Sequence, residues 1–196
     1  MTDHKGLPIL AFEIQADWAV WLAGHIGGST GVWLKLAKKT AGAMSVTKAE
    51  AIESALAHGW VDGQLDRFDD RFWLVRFTPR GPRSKWSQIN RDTASKLIEE
   101  GRMAPSGLAA VDSAKADGRW EAAYAPQSRA EVPADLQAAL DGEPAAKAFF
   151  ATLTGANRYA VLYRIHDAKA AKTRSARIEK FVAMLARHET VHPAKA

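Results

Sequence analysis

The feature that most constrains the fold is a change of pattern between Trp60 and Thr78, where apolar and polar side chains alternate on either side of Asp69 and Asp70. Alternation with a period of two is typical of strands that bury one face. Acidic residues between two such runs favour a turn. The segment therefore predicts an antiparallel hairpin.

The register of this hairpin follows from the distribution of charge, because a slip of one residue moves every side chain to the other face. A two-residue loop would place Asp62 and Asp66 on the apolar face. A three-residue loop over 69–71 groups five apolar side chains on one face: Val61, Leu65, Trp73, Val75 and Phe77. It groups polar side chains on the other: Asp62, Gln64, Asp66, Arg76 and Thr78. We expect the three-residue loop, so that Asp62 and Arg76 share a face.

Upstream of the hairpin, the spacing of apolar residues predicts a helix over 16–23, then a glycine-rich turn and a half-buried strand over 32–36. In that strand, Val32 and its apolar neighbours alternate with Trp33 and Lys35. Thr47 and Glu50 match a capping box and begin the next helix.

Downstream, Pro79 and Pro82 predict an extended linker, and a helix follows that ends at Gly101. We expect further helices over 108–117, 133–140 and 144–153, and a last helical region over 158–187. The ends of the chain, to about Lys5 and from about Thr190, are predicted to be disordered.

These elements predict an α+β fold, with a small antiparallel sheet (one strand plus the hairpin) packed with helices and followed by a helical C-terminal region. We expect 1–100 to form the α+β core and 101–190 the helical region, packed together as one unit. Because no apolar run approaches the roughly 20 residues that span a bilayer, we expect no signal peptide or membrane anchor. We predict a cytoplasmic protein.

Composition limits the function classes. The chain has no cysteine, which excludes disulfide frameworks, thiolate zinc sites, iron–sulfur clusters and thiol nucleophiles. A formal net charge of +5 favours an anionic partner. An anionic small molecule, nucleic acid and an acidic protein surface all satisfy that condition.

The positive charge is concentrated between Arg71 and Arg91, which holds six basic residues and no acidic one: Arg71, Arg76, Arg80, Arg83, Lys85 and Arg91. This stretch leads into a predicted helix start near Ser87 or Asn90, where free amides and guanidinium groups suit an anion. Trp86 offers a stacking face. The alternative interpretation is that the upstream aspartates neutralise these arginines while Trp86 packs on the core.

We predict these ligand-binding residues: Trp60, Asp62, Arg76, Thr78, Arg80, Arg83, Lys85, Trp86, Ser87 and Asn90. No catalytic residue, metal site or cofactor is predicted. The combined site depends on Asp62 and Arg76 facing the same way. A deep pocket around both would favour an enzyme acting on a small phosphorylated or carboxylated substrate, and a flat basic face would favour nucleic-acid or protein binding.

Three other patterns are weaker indications of function. The string 188–192 matches H-E-x-x-H, but Pro193 follows at once and no third ligand lies downstream, so we interpret it as a chance match. The glycines over 24–31 follow a helix and lack the lysine of a phosphate loop, which favours a tight connection. The basic region 158–187 suits nucleic acid or acidic lipid headgroups, or simply a solvated helix face.

Several phrases resemble the YdeI/OmpD-associated (bacteriocin-protection) proteins. They are Val32-Trp33-Leu34, the run 55–63 (ALAHGWVDG), Phe77-Thr78-Pro79-Arg80, Lys85-Trp86-Ser87, Ile89-Asn90, the run 114–120 (AKADGRW) and the run 172–178 (KTRSARI). The region 101–190 resembles the OmpD-associated module. His58 and Val61 stand where the family often has a Cys or Phe and an Ile.

The resemblance implies a stress-protection protein, linked to envelope stress, antimicrobial-peptide resistance or an outer-membrane porin, without an agreed catalytic activity. It carries over no catalytic residue. The positions that match its motifs are Trp60, Asp62, Thr78, Arg80, Trp86, Ser87 and Asn90. We therefore expect a non-enzymatic binding protein for an anionic ligand or partner.

Overall fold

The computed structural model describes residues 3–193 and confirms the α+β fold. Five strands occur in the order β1 (Asp3–His4), β2 (Leu7–Leu10), β3 (Val32–Ala37), β4 (Trp60–Arg67) and β5 (Phe72–Pro79). Eight α-helices are described: α1 (Gln15–Gly24), α2 (Lys48–Ala57), α3 (Gln88–Glu99), α4 (Pro105–Ala116), α5 (Ala134–Asp141), α6 (Pro144–Thr152), α7 (Gly155–His166) and α8 (Ala171–Ala186). A 3-10 turn covers Gln127–Arg129.

The chain forms two compact units, the first ending at Ala123 and the second beginning at Tyr124. All five strands and α1 to α4 lie in the first, and the second is entirely helical. The predicted domain division at residue 100 stays a prediction, since compactness alone does not define a domain. Within the described part of the chain, no helix combines the length and apolarity needed to cross a membrane.

The sheet is larger than predicted and is mixed. Its strand order is β1-β2-β3-β5-β4, with β5 antiparallel to both β3 and β4, as expected. The sequence prediction missed β1 and β2. β2 pairs in parallel with β3, and α1 forms the crossover between them. The prediction of a disordered end to Lys5 is wrong over Asp3–His4, which pairs with β2; residues 1, 2 and 194–196 lie outside the described range.

The hairpin register is half as predicted. Leu65 pairs with Val75 and Arg67 with Trp73, which is the register of the three-residue loop. Between Asp62 and Leu65 a β-bulge shifts the register by one residue, so that Asp62 pairs with Phe77. A bulge inserts one unpaired residue and so reverses the facing of everything beyond it.

The prediction that Asp62 and Arg76 share a face is therefore wrong. Asp62 pairs with Phe77, on the face that packs against the helices, whereas Arg76 pairs with Trp33 on the opposite face. Val61, predicted on the same face as Phe77, instead pairs with Thr78 and lies on the opposite face. The sequence does not reveal the bulge at Gly63 and Gln64, because apolar and polar residues continue to alternate across it.

The helix-covered face holds the main core of the first unit. Its buried members include Val32, Leu34, Leu36, Trp60, Val75 and Phe77 from the sheet, and Trp18, Leu22, Ala51 and Ala55 from α1 and α2. The indole of Trp18 donates to the carbonyl of Ala51 at 3.1 Å, so its burial leaves no orphaned donor. On the opposite face, a small cluster of Leu7, Trp33 and Leu74 is also buried.

The capping signals are confirmed. Thr47 accepts from the amide of Glu50 at 3.2 Å and the Glu50 carboxylate accepts from the amide of Thr47 at 2.8 Å. These hydrogen bonds with Thr47 hold the pKa of Glu50 below its usual value. In the second unit, the region predicted as 158–187 is divided into α7 and α8 by residues 167–170.

Candidate functional site

Arg76 and Trp33 stand side by side on the opposite face of the sheet, because they are paired residues of neighbouring antiparallel strands. Trp33 is only 1 % exposed, yet its indole Nε1 has no hydrogen-bond acceptor. The buried Nε of Arg76 also lacks an acceptor. Native proteins pair nearly all buried donors, so two orphans on adjacent side chains call for an explanation.

The two side chains that carry these orphaned donors line a common cavity of about 180 Å³, together with Lys5, Leu7, Thr30 and Gln64. We name it the Arg76 cavity. Gln64 belongs to the bulge of β4, and Lys5 to the turn between β1 and β2. The cavity thus depends on the bulge of β4 and on the β1–β2 turn, neither of which was predicted from the sequence.

The turn after β1 is held to the sheet by hydrogen bonds to Asp66. Lys5 Nζ lies 2.6 Å and His4 Nε2 lies 2.9 Å from the same oxygen of Asp66. The hydrogen bonds from Lys5 and His4 hold the pKa of the Asp66 carboxyl well below its usual range. The left-handed backbone of Lys5 and Gly6 makes the turn tight enough for this contact.

Charge in the Arg76 cavity is consequently uneven. The ammonium of Lys5 is compensated by Asp66, whereas Arg76 has no ion-pair or hydrogen-bond partner among residues 3–193. A half-buried guanidinium without a counter-ion is unfavourable unless a ligand or solvent supplies one. The cavity therefore contains one cation that has no counter-ion within residues 3–193.

The predicted site residues do not form one constellation. Arg76 and Thr78 lie on the opposite face, while Trp60 is fully buried in the main core and Asp62 points to the helix-covered side of the sheet. An enclosed pocket around both Asp62 and Arg76 is therefore ruled out by the strand pairing. Whether each residue binds a ligand stays a prediction.

The remaining predicted residues belong to the linker between β5 and α3, and most of them make structural contacts. The guanidinium of Arg80 lies 3.6 Å from the centre of the Trp86 ring and donates to the carbonyl of Lys85 at 3.1 Å. Trp86 is 1 % exposed and meets Trp120 edge-on at 4.9 Å. These contacts match the alternative interpretation, in which Trp86 packs on the core.

At the start of α3, Ser87 accepts from the amide of Asn90 at 3.1 Å, so one of the free amides already has a partner. Arg83 differs from its neighbours. It is exposed and has no partner within the described range. It is the linker cation best placed to meet an external anion.

A larger cavity of about 470 Å³ lies among the helices, lined by Gln15, Ala16, Ala19, Glu53, Ser54, Ala57, His58, Leu97 and Arg102. Its polar groups are already paired: Arg102 contacts Glu53, and Gln15 donates to the hydroxyl of Ser54 at 3.1 Å. The ring of His58 bonds the carbonyl of Ser54 at 2.9 Å. Size favours this cavity, but orphaned donors favour the Arg76 cavity.

Neither of the two motifs set aside from the sequence lies in the structural context that its pattern requires. His188 and His192 follow the end of α8 at Ala186, and the chain around His192 is held by two hydrogen bonds with Asn157, at 3.1 and 2.8 Å. Over residues 3–193 no group of three metal-ligating side chains occurs. The glycine-rich stretch connects α1 to β3, as predicted.

Sequence reasoning missed Trp33 as a site residue. It interpreted 32–36 as a half-buried strand and so assigned Trp33 to the polar side. A tryptophan at a position expected to face solvent was the available signal, since large aromatic residues are seldom left there. The contribution of Lys5 had no local signal, because its partner Asp66 is 61 residues away.

Comparison with known families divides the chain in a similar way to its compact units. Residues 10–110 match a domain of unknown function (DUF8412), and residues 129–188 match the OmdA family, described as Bacteriocin-protection, YdeI or OmpD-Associated. No curated protein and no solved structure matches significantly. Four of the six residues that line the Arg76 cavity lie in the first match, and Lys5 and Leu7 precede it. The chain belongs to the DUF8412 family over its first half and contains an OmdA domain, of the bacteriocin-protection, YdeI or OmpD-associated type, at residues 129–188.

Proposed function

We propose that this chain is a binding protein for a small anionic ligand, held in the Arg76 cavity. The observation that supports the proposal is that Arg76 and Trp33, two side chains that line one cavity, each carry a buried donor without an acceptor, Nε and Nε1 respectively. An anion would accept from both and would compensate the guanidinium charge. The OmdA match associates the chain with bacteriocin protection, and ligand binding is the contribution to that role that we propose for the first compact unit.

An anion held by a partly buried arginine would bind more tightly than one held by an arginine on the surface. Charge-assisted hydrogen bonds are about twice as strong as neutral ones, and a low local dielectric strengthens them further. The donors are also held in place before binding, since Trp33 is packed against Leu7 and Leu74. A fixed donor loses little entropy when the ligand arrives.

The linker cation Arg83 supports a second location for an anion. It is exposed, however, and salt screens exposed charges strongly, so that its contribution would be small at physiological ionic strength. Substitution of Arg83 in the linker is therefore the matched control for substitution of Arg76. Removing either arginine changes the net charge equally, but only Arg76 borders the cavity.

The test is an equilibrium titration with acetate and with inorganic phosphate at constant ionic strength, followed by tryptophan fluorescence. We expect Arg76→Gln to weaken binding by about tenfold or more, since a hydrogen bond to a charged group contributes roughly 1.5–3 kcal/mol. Arg83→Gln should leave the affinity within about twofold of the wild type, the scale of exposed ion-pair effects.

Trp33→Phe removes the indole donor while keeping an aromatic ring, and it should also weaken the binding. Thermal unfolding of each variant distinguishes loss of the site from loss of the fold. Failure of both anions to bind the wild-type protein would refute the proposal. If Arg83→Gln had the larger effect, the site would instead lie on the linker.

A further inference from the structure

The Arg76 cavity has a neighbour. A second cavity, of about 350 Å³, is lined by Gly6, Leu7, Pro8, Leu10, Trp21, His25, Gly28, Ser29, Thr30 and Gly31. Leu7 and Thr30 line both cavities, so the two adjoin there. We propose that they hold one elongated ligand, a monocarboxylate with a planar or apolar body. This inference rests on the proposed anion binding at Arg76.

The two cavities differ in charge. The Arg76 cavity contains the two permanent cations Lys5 and Arg76, whereas the side chains around the second cavity include none, His25 being the one titratable group. Apolar residues and glycines form most of its wall. A ligand that matches both cavities carries its charge at one end only.

The charge at that end is a single negative one. Asp66 compensates Lys5, which leaves the guanidinium of Arg76 as the uncompensated cation. A carboxylate fits the planar fork of arginine and leaves lone pairs for the indole of Trp33. A phosphate dianion would bring a second charge without a second free cation, and desolvating it would be unfavourable.

The second cavity offers a flat aromatic wall. The rings of Trp21 and His25 are stacked, with centroids 4.1 Å apart and an angle of 14° between their planes. The imidazole is fixed by a 2.7 Å hydrogen bond between its Nδ1 and the carbonyl of Trp21. Trp21 also stacks on Trp18, with centroids 5.4 Å apart and an angle of 9° between the planes, which leaves the exposed ring of His25 at the end of the stack. That ring favours a planar ligand body, because aromatic contacts add to the stabilisation from buried apolar area.

Two glycines make a clean test available. Gly28 lines the second cavity, and a Cβ added there would meet no atom within 4 Å. Gly24 also has open space at its Cβ and does not line the cavity. Neither residue has a left-handed backbone. Gly28→Leu therefore introduces bulk into the second cavity without strain, and Gly24→Leu is its matched control.

The experiment compares acetate with 3-phenylpropionate, a carboxylate that carries a planar apolar body. We expect the wild type to bind 3-phenylpropionate at least tenfold more tightly than acetate. Gly28→Leu should abolish that preference and leave acetate binding unchanged, while Gly24→Leu should alter neither. Arg76→Gln should weaken the binding of both ligands.

The outcomes separate this inference from the proposal beneath it. If acetate binds through Arg76 and 3-phenylpropionate binds no more tightly, the elongated ligand is refuted while the anion site stands. A preference that survives in Gly28→Leu also overturns the inference. If neither carboxylate binds the wild type, the anion site and the elongated ligand fail together.

Discussion

Arg76→Met should stabilise the protein, which is unusual for the removal of a half-buried side chain. Methionine keeps an unbranched apolar stem beside Trp33 but has no charge and no donor. The buried Nε of Arg76 has no acceptor in the folded state and would be hydrated in the unfolded chain. Its removal therefore relieves an unfavourable burial.

The size of the effect follows from the orphaned donor. Leaving a buried donor unsatisfied is unfavourable by about 1–3 kcal/mol. Because the remainder of the Arg76 side chain is partly exposed, we expect a gain of about 1–2 kcal/mol, the lower part of that range. For a chain of this size, each kcal/mol raises the unfolding midpoint by roughly 2–4 °C.

The assay is thermal unfolding followed by tryptophan fluorescence. All seven tryptophans lie before Ala123, so the signal reports the first compact unit. Arg83→Met, at an exposed arginine without a partner in the described range, is the matched control and should stay within about 0.5 kcal/mol of the wild type. If Arg76→Met lowered the midpoint while the control was neutral, Arg76 would serve the fold and the reasoning would be refuted.

Three further predictions concern the framework of the site. Gly107→Ala should destabilise the first unit by about 1–3 kcal/mol in urea unfolding, because the new Cβ would lie 2.8 Å from the carbonyl carbon of Ala57; Gly24→Ala, with open space, should not. Thr47→Ala removes the confirmed cap of α2 and should lower the free energy of unfolding by about 1 kcal/mol. The folded-state pKa of Asp66 is lowered, so its contribution to stability is present above the unfolded-state pKa of about 3.9 and is lost as the pH falls below it. Asp66→Asn should therefore reduce the acid sensitivity of unfolding below about pH 4, and an unchanged pH profile would contradict this.

Local signals predicted much of the fold. The capping box of Thr47 and Glu50, the strand over 32–36 and the hairpin loop each depend on residues close in sequence. β2 was not predicted, because it has only four residues, one of them Pro8. Its pairing partner β3 is also separated from it in sequence by the whole of α1. Parallel pairing of this kind leaves no local pattern.

The candidate site was harder to predict than the fold, because its lining depends on a bulge and on a distant ion pair. Arg76 was identified from the excess of positive charge around it, and that part of the prediction is the basis of the proposal. The side chains that surround it were not identified: Gln64 enters the cavity through the bulge, and Lys5 is placed by Asp66 from the far end of the sheet. Alternation alone cannot show where a register shifts.

The indole N–H resonance of Trp33 in a two-dimensional NMR spectrum tests anion binding in the Arg76 cavity most directly. Seven tryptophans give seven indole signals, and Trp33→Phe identifies the relevant one by its loss. Upon titration with 3-phenylpropionate we expect this signal to move downfield to saturation in the wild type and to stay still in Arg76→Gln. A Trp33 signal that does not move while the ligand binds elsewhere, or that moves equally in Arg76→Gln, would contradict the assignment of the anion site to the Arg76 cavity.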